Sequence, residues 1–381
     1  MNRVEINPNL IRWAYERAGY IISDLERKFP KLSAWERGET HPTLKQIESF
    51  ANTTHTPVGY LFLQEPPVEK IPIPDFRTIE KEDFSHPSPD LLDTIYICQQ
   101  RQEWYQDYAR FNGEKPLNLV GSVNLRDNII LTATEIRNIL NFDVNERHQI
   151  PTWTDALRHF IEQTDNIGIL VMCNSVVNNN THRHLDPEEF RGFAISDNLA
   201  PLIFINGADT KSAQMFTLAH ELAHIWLGQS AVSNAQPAIV PNQYIERWCN
   251  QVAAELLVPL DLMKQEYKKT ADLQNEVNRL ARYFKVSTLV ILRRIYDTGK
   301  LTYANFQDAY KREEKRLIEI PQGTGGDFYL TLGARMSKCF TRALIASTLE
   351  GRTSFTESFR LLGIKKMETF NHLGHNLGVH T

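Results

Sequence analysis

Cysteine is scarce in this sequence, with four residues in 381, and no two of them form a C-x-x-C pair. Cysteines spaced so widely argue against a disulfide framework and against a zinc site built from thiolates. The same usage fits a reducing cytosol, so we expect a cytoplasmic protein. The four positions are Cys98, Cys173, Cys249 and Cys339.

Long hydrophobic runs and a strong net charge are also missing. No apolar stretch reaches the roughly 18 residues that a membrane-spanning helix needs, and residues 1–5 lack the pattern of a signal peptide. The formal net charge is only −4, which predicts neither a nucleic-acid binder nor a membrane binder. The length exceeds what one hydrophobic core usually serves, so we expect two or three domains.

Residues 1–65 read as a series of short helices. Trp35-Glu36-Arg37-Gly38 followed by Pro42-Thr43-Leu44 resembles the end of an Xre-type helix-turn-helix. Trp35 follows Leu25 by only ten positions, which is short for a turn plus a recognition helix. The segment also holds 8 Lys/Arg and 8 Asp/Glu, so it has no basic excess for DNA. DNA binding and protein docking both stay open for this domain.

Proline marks the end of that domain. Residues 66–90 contain Pro66-Pro67 and Ile71-Pro72-Ile73-Pro74, which predicts an extended linker. We interpret residues 91–149 as a helical connecting region whose aromatic side chains serve packing.

Short strands are predicted from about residue 150 onward. Residues 167–172, 193–196 and 202–206 have the apolar character of strands in a small sheet. If residues 202–206 form the edge of that sheet, they could bind an extended peptide by β-addition. His182 and His184 lie in a polar loop, and H-x-H alone is a weak zinc signal, so we expect both at the surface.

Residues 215–228 predict a buried helix, because they are apolar on nearly every side. His220 and His224 are four residues apart, so both imidazoles lie on one face and can reach one ion. Glu221, one step around the helix, can reach a water beside that ion instead. This H-E-x-x-H spacing predicts a Zn²⁺ site with Glu221 as the general base. Two unrelated core histidines are the alternative, but burying three polar groups in one helix is costly without a shared partner.

A catalytic zinc needs a third protein ligand. The next predicted helix, residues 244–258, places Glu246 and Asn250 at the edge of its apolar face, stacked four residues apart. We predict Glu246 as the third ligand, with Asn250 supporting it. Glu255 points to the opposite side of the helix, so we expect it to be a solvated surface residue.

Four blocks resemble the ImmA/IrrE family of zinc metallo-endopeptidases, over roughly residues 150–265. They are Arg191-Gly192-Phe193, residues 201–206, the block Phe-Thr-Leu-Ala-His-Glu-Leu-Ala-His at 216–224, and residues 253–259. The resemblance implies a zincin-like domain, and it implies the same ligand assignment, since the family's third ligand is the acid four residues before the Asn. Family members typically cut or inactivate a repressor, often one of Xre type.

Residues 264–316 are the most basic part of the chain, with 13 Lys/Arg and 7 Asp/Glu, a net +6. Two predicted helices broken at Lys285-Val286-Ser287 resemble a second helix-turn-helix. DNA contact and a solvated helical face both stay open here. Residues 317–381 predict a C-terminal helical region. Tyr329 and Arg335 of this region are candidates for the donor that stabilises an oxyanion.

We therefore expect an α+β fold: a zinc metallopeptidase domain at residues 150–263, flanked by helical helix-turn-helix-like modules. The predicted function is a zinc-dependent endopeptidase acting on a regulatory protein, a repressor or a toxin–antitoxin partner. The circuit would be a stress response, a mobile element or a toxin–antitoxin pair. The alternative is a non-enzymatic Xre-type repressor or antitoxin whose zinc is structural.

Overall fold

A computed structural model describes residues 3–77, 87–233, 243–269, 272–318 and 335–379. The fold is mixed α+β, with one four-stranded sheet and many helices, which confirms the predicted fold class. The chain forms two compact units: Met1–Pro72 with Ile79–Ile95, and Ile73–Thr78 with Tyr96–Thr381. The domain boundaries drawn from the sequence remain predictions.

In the first unit, four short helices enclose a small core that contains Leu10, Trp35 and Phe50. Thr43 begins the fourth helix with a capping box, because its hydroxyl accepts from the Gln46 N–H and the Gln46 side chain accepts from the Thr43 N–H. Helices α2 and α3 have five residues each, which matches the short spacing in the sequence. The four helices are α1 (Pro8–Arg17), α2 (Ile22–Glu26), α3 (Leu32–Glu36) and α4 (Leu44–Thr53), followed by a 3₁₀ turn at Val58–Phe62.

Helices also make up most of the remaining chain. The described ones are α5 (Pro89–Phe111), α6 (Ile129–Ile139), α7 (Val144–Gln149), α8 (Trp153–Asn166), α9 (Lys211–Trp226), α10 (Tyr244–Leu257), α11 (Leu260–Glu266), α12 (Leu273–Phe284), α13 (Thr288–Asp297), α14 (Tyr303–Ile318), α15 (Lys338–Leu349), α16 (Phe355–Leu362) and α17 (Met367–Asn376). Side chains of α12, α13 and α14 belong to the same hydrophobic core as those of α9 and α10. Within the described ranges, every helix is too short or too polar to cross a membrane.

The sheet has the strand order β1-β3-β2-β4. Its strands are β1 (Leu170–Asn174), β2 (Gly192–Ile195), β3 (Leu202–Asn206) and β4 (Ala231–Ser233). β3 pairs with β1 in parallel and with β2 in antiparallel orientation, so it is a central strand. The expectation that residues 202–206 form a peptide-binding edge is therefore wrong, because both sides of that strand are already hydrogen-bonded.

The edge at β4 is covered by a segment that the sequence assigned to the linker. The Phe76 N–H donates to the Val232 carbonyl at 3.0 Å, and the Val232 N–H donates to the Pro74 carbonyl at 2.9 Å. Asp75 and Val232 form a parallel bridge. We call residues 73–77 the edge segment.

Helix α9 packs against β2 and β3 and beside α8 and α10. Every residue from Gln214 to Trp226 is buried, as its apolar sequence predicts. Gly228, in the left-handed conformation at φ +68°, follows the helix, and a Cβ there would lie 3.0 Å from the Gly121 Cα. Only glycine fits this combination of backbone conformation and close approach.

Candidate metal centre

Helix α9 carries His220, Glu221 and His224 in its interior, and all three are fully buried. Their positions follow from the helical repeat, because residues four apart lie one above the other on one face. The two imidazole rings have centroids 4.9 Å apart, and their Nε2 atoms are 3.1 Å apart. Both rings thus direct Nε2 into the same small space.

Helix α10 brings Glu246, in its first turn, to the same space. The Glu246 carboxylate lies 3.2 Å (Oε2) from His220 Nε2 and 3.0 Å (Oε1) from His224 Nε2. Ligand atoms of the three residues all lie within 4.8 Å of one another. Among the described residues, this is the group of His, Cys, Asp and Glu side chains arranged to hold a metal ion.

Asn250, one turn after Glu246 on α10, contacts His220. Its Oδ1 lies 2.9 Å from His220 Nδ1. An amide oxygen only accepts, so His220 Nδ1 donates this bond and Nε2 is the ring nitrogen that faces Glu246. Asn250 therefore supports His220, whereas the sequence suggested that it would support Glu246.

Burial and the nearby opposite charges shift the pKa values of the three cluster residues in opposite directions. Burial lowers the pKa of His220, but Glu246, Glu221 and the Asn250 hydrogen bond together outweigh it, and the pKa is raised. For His224 burial dominates, and its pKa is lowered. Burial raises the pKa of Glu246, but the charge of His220 and the hydrogen bonds to both imidazoles lower it to about 2. Glu246 is therefore anionic at neutral pH.

Glu221 has a separate environment. The Ser233 hydroxyl of β4 donates to Glu221 Oε1, and Glu221 Oε2 has no hydrogen-bond partner in the part of the chain that the structure describes. Burial raises the pKa of Glu221 to about 8, against the opposing effects of His220 and Ser233. A carboxylate here is costly unless a positive charge lies nearby, so the site favours a bound cation.

Gly192 makes room for this carboxylate. It is the register partner of Ser233 in the β2–β4 ladder. A Cβ at this position would lie 2.6 Å from Thr217 Cγ2, 2.8 Å from the Phe204 carbonyl oxygen and 3.2 Å from Glu221 Oε1. The sequence pointed to neither role, because Ser233 lies in a three-residue strand without any pattern and Gly192 appeared only as part of the family resemblance.

The donor set fits zinc. Two imidazole nitrogens and one carboxylate are a common set of protein ligands in catalytic zinc sites, where the fourth position stays open. All three side chains are buried, and the two imidazole Nε2 atoms face the carboxylate and each other. That zinc is the metal, and that these residues bind it, stays a prediction.

Glu255 is not the solvated residue that the sequence suggested. It is 6% exposed, it pairs with Arg294 of α13, and its carboxylate accepts from the Leu260 N–H at 3.3 Å. The prediction failed because α10 packs against both α6 and α9, so both of its sides are covered. Glu255 does not belong to the metal-ligand group.

The other sequence suggestions have different outcomes. His182 and His184 are exposed, as expected. Arg335 donates to Asn179 Oδ1 at 3.1 Å, and nothing in the described residues links it to the His220 cluster. Tyr329 lies outside the described residues. No residue is therefore assigned as an oxyanion donor.

Two family models match parts of this chain. Residues 164–296 match the family model Peptidase_M78, described as the IrrE N-terminal-like domain. Residues 336–376 match a domain of unknown function, DUF8813. A comparison with curated proteins and with solved structures gives no match. The first match spans α9, α10 and all four strands of the described sheet, and it confirms that this part of the chain is similar to the ImmA/IrrE metallopeptidase family.

Proposed function

We propose that this protein is a zinc-dependent endopeptidase that acts on a regulatory protein. One observation carries the proposal: His220, His224 and Glu246 converge within 4.8 Å, with Glu221 buried beside them on the same helix. A structural zinc site needs four protein ligands and no neighbouring base. A site with three ligands and an adjacent carboxylate supports hydrolysis.

Each residue of the site has a separate role in this proposal. His220, His224 and Glu246 hold the metal, and Asn250 fixes the His220 ring. Zinc, when bound, supplies Lewis-acid polarisation of the scissile carbonyl. Glu221 accepts the proton of the attacking water at Oε2, the oxygen without a hydrogen-bond partner in the described residues, and returns it to the leaving amine.

The identity of the substrate rests on the family resemblance. Related endopeptidases act on repressors, so we propose a repressor or a toxin–antitoxin partner as the substrate. The helices of residues 1–65 are then a docking or DNA-binding module, and their equal numbers of acidic and basic residues favour docking.

The basic region at residues 264–316 has a packing role in this proposal, not a DNA-binding one. Several of its arginines are paired with acids of the same helix: Arg279 with Glu276, Arg293 with Asp297, and Arg316 with Glu313. Pairing reduces the positive potential that would attract DNA. We propose that this region completes the core of the peptidase unit.

Glu221→Gln tests the enzymatic function. The exchange keeps the size of the side chain and leaves the three proposed ligands in place, so zinc content and fold should be retained. Loss of general-base catalysis should lower turnover by about 10²–10⁴-fold. In cells, quantitative proteomics should show a regulator that accumulates in both the Glu221→Gln strain and a strain lacking the gene.

The alternative makes a different prediction for the same strains. A repressor or antitoxin with a structural zinc does not need Glu221. If the Glu221→Gln strain matches the wild type while the deletion strain differs, proteolysis is not the function and the repressor or antitoxin interpretation replaces it.

A further inference from the structure

The two histidines of the cluster are oriented in different ways. His220 Nδ1 is hydrogen-bonded to Asn250 at 2.9 Å. His224 Nδ1 is buried and has no hydrogen-bond partner in the described ranges. Metal-binding histidines normally have a partner on the second ring nitrogen, which fixes the orientation of the ring. On its Nδ1 side, the orientation of His224 therefore depends on packing.

One packing partner of His224 comes from the edge segment. The Phe76 ring has its centroid 6.2 Å from that of His224, with an interplanar angle of 32°. This separation is within the range of favourable aromatic pairs. Phe76 itself is half-buried, whereas the His224 side chain that it contacts is fully buried.

Phe76 is itself held firmly. Its N–H donates to Val232 of β4 at 3.0 Å, and the Val232 N–H donates to Pro74 at 2.9 Å. The next residue, Arg77, has a side chain only 1% exposed and forms a bidentate pair with Asp75, with both N–O distances 2.9 Å. Arg77 Nη1 also lies 3.6 Å from a Glu189 carboxylate oxygen.

This anchoring distinguishes the edge segment from a mobile linker. Releasing the segment would break both backbone hydrogen bonds to Val232 and separate Arg77 from the buried Glu189 carboxylate, which is costly. The segment thus behaves as an added strand of the peptidase unit, even though chain residues on both sides of it belong to the other compact unit.

We propose that Phe76 is a positioning residue for His224, and that the edge segment is a built-in part of the metal centre. This inference rests on the proposed function, because it takes His224 as a metal ligand. The ring of Phe76 limits the rotation of the imidazole. The edge segment thereby contributes to the metal affinity of the site.

The test uses the full chain, with Zn²⁺ and Co²⁺ as probes. Zinc affinity is measured by competition with a chromophoric chelator, and the visible absorption of bound Co²⁺ reports on ligand geometry. Phe76→Ala should weaken zinc binding by about 10-fold, the typical loss when a supporting partner of a ligand is removed, and should shift the cobalt bands. Phe76→Tyr keeps the ring and should restore both readouts.

Two further variants serve as controls. Phe355→Ala removes a ring of the same size from α16, packed there against Phe359 and Phe370, and should leave zinc affinity unchanged. Phe76→Leu retains an apolar contact without the ring, so it should fold even if Phe76→Ala does not, and its zinc affinity should fall between alanine and wild type.

The outcomes separate this inference from the proposed function. Wild-type zinc affinity and an unchanged cobalt spectrum in folded Phe76→Ala, or in Phe76→Leu if the alanine variant is unfolded, would overturn the positioning role. A wild-type chain that binds no zinc would overturn the proposed function and this inference with it.

Discussion

Two glutamates of α10 allow a matched test of the metal centre. Glu246 lies among the proposed ligands, and Glu255, nine residues later, forms the buried pair with Arg294. Glu246→Gln and Glu255→Gln make the same chemical change on the same helix. If the cluster binds zinc as proposed, the first variant should lose metal and the second should lose only stability.

The cost of Glu255→Gln follows from the surroundings of Arg294. Breaking a buried ion pair costs about 3–5 kcal/mol. Arg294 keeps two acceptors, the Val258 carbonyl at 2.9 Å and Asp297 Oδ2 at 3.4 Å, so we expect the lower end of that range. At about 2–4 °C per kcal/mol, a loss of ~3 kcal/mol lowers the melting temperature by ~6–12 °C.

The effect of Glu246→Gln is measured as a smaller stabilisation of the protein by zinc. Removing the anionic ligand should weaken zinc binding by at least about 100-fold. That factor is the upper end of the loss seen when a residue that only hydrogen-bonds to a metal ligand is removed. At free zinc 100 times the wild-type Kd, the wild-type protein gains about 2.7 kcal/mol of stability, whereas a 100-fold weaker variant gains only ~0.4 kcal/mol.

The assay compares melting temperatures in zinc and in a chelator for each protein. Wild type and Glu255→Gln should show the same rise with zinc, ~5–11 °C on the scale above, although the variant starts lower. Glu246→Gln should show almost none. A full zinc-dependent rise in Glu246→Gln, or its absence in Glu255→Gln, would refute the ligand assignment.

Two further predictions concern Gly192 and the N-terminal module. Gly192→Ala should lower the free energy of unfolding by about 1–3 kcal/mol, because the added methyl group overlaps Thr217 and the Phe204 carbonyl. The control is Gly59→Ala, because a Cβ at that position meets nothing within 4 Å. Equal denaturant midpoints for the two variants would contradict the steric argument. If residues 1–65 bind DNA, the full chain should give a sequence-specific gel shift on the DNA upstream of its own gene, and the shift should depend steeply on salt. Deletion of residues 1–65 should remove this shift. If the full chain gives no such shift, protein docking is the better interpretation of this module.

Helix-scale features were accessible from the sequence because they depend on local spacing. The apolar run around His220 and His224 predicted a buried helix at residues 215–228, and the structure has α9 at Lys211–Trp226. Residues 202–206 match β3 residue for residue. The break at Lys285-Val286-Ser287 is also present, and Lys285 adopts the left-handed conformation at φ 54° that ends α12.

Errors arose wherever a property depended on what packs against an element. The helical period of α10 separated Glu246 from Glu255, but it could not show that a second helix and Arg294 cover the opposite side. Strand order was equally hidden, since residues 202–206 have the same apolar pattern at the centre or at the edge of a sheet. Ser233 was missed because a three-residue strand carries no periodicity.

The sequence by itself determined which residues can act together within one helix: His220, Glu221 and His224, held one turn or one step apart by the backbone hydrogen bonds of α9. Only the tertiary structure decided what completes the site. Glu246 and Asn250, which the helical period had already suggested, reach the histidines because α10 packs against α9. Ser233 of β4 and Phe76 of the edge segment, which no sequence pattern indicated, are placed by the sheet. Their placement depends on packing between elements distant in sequence, which no local spacing encodes.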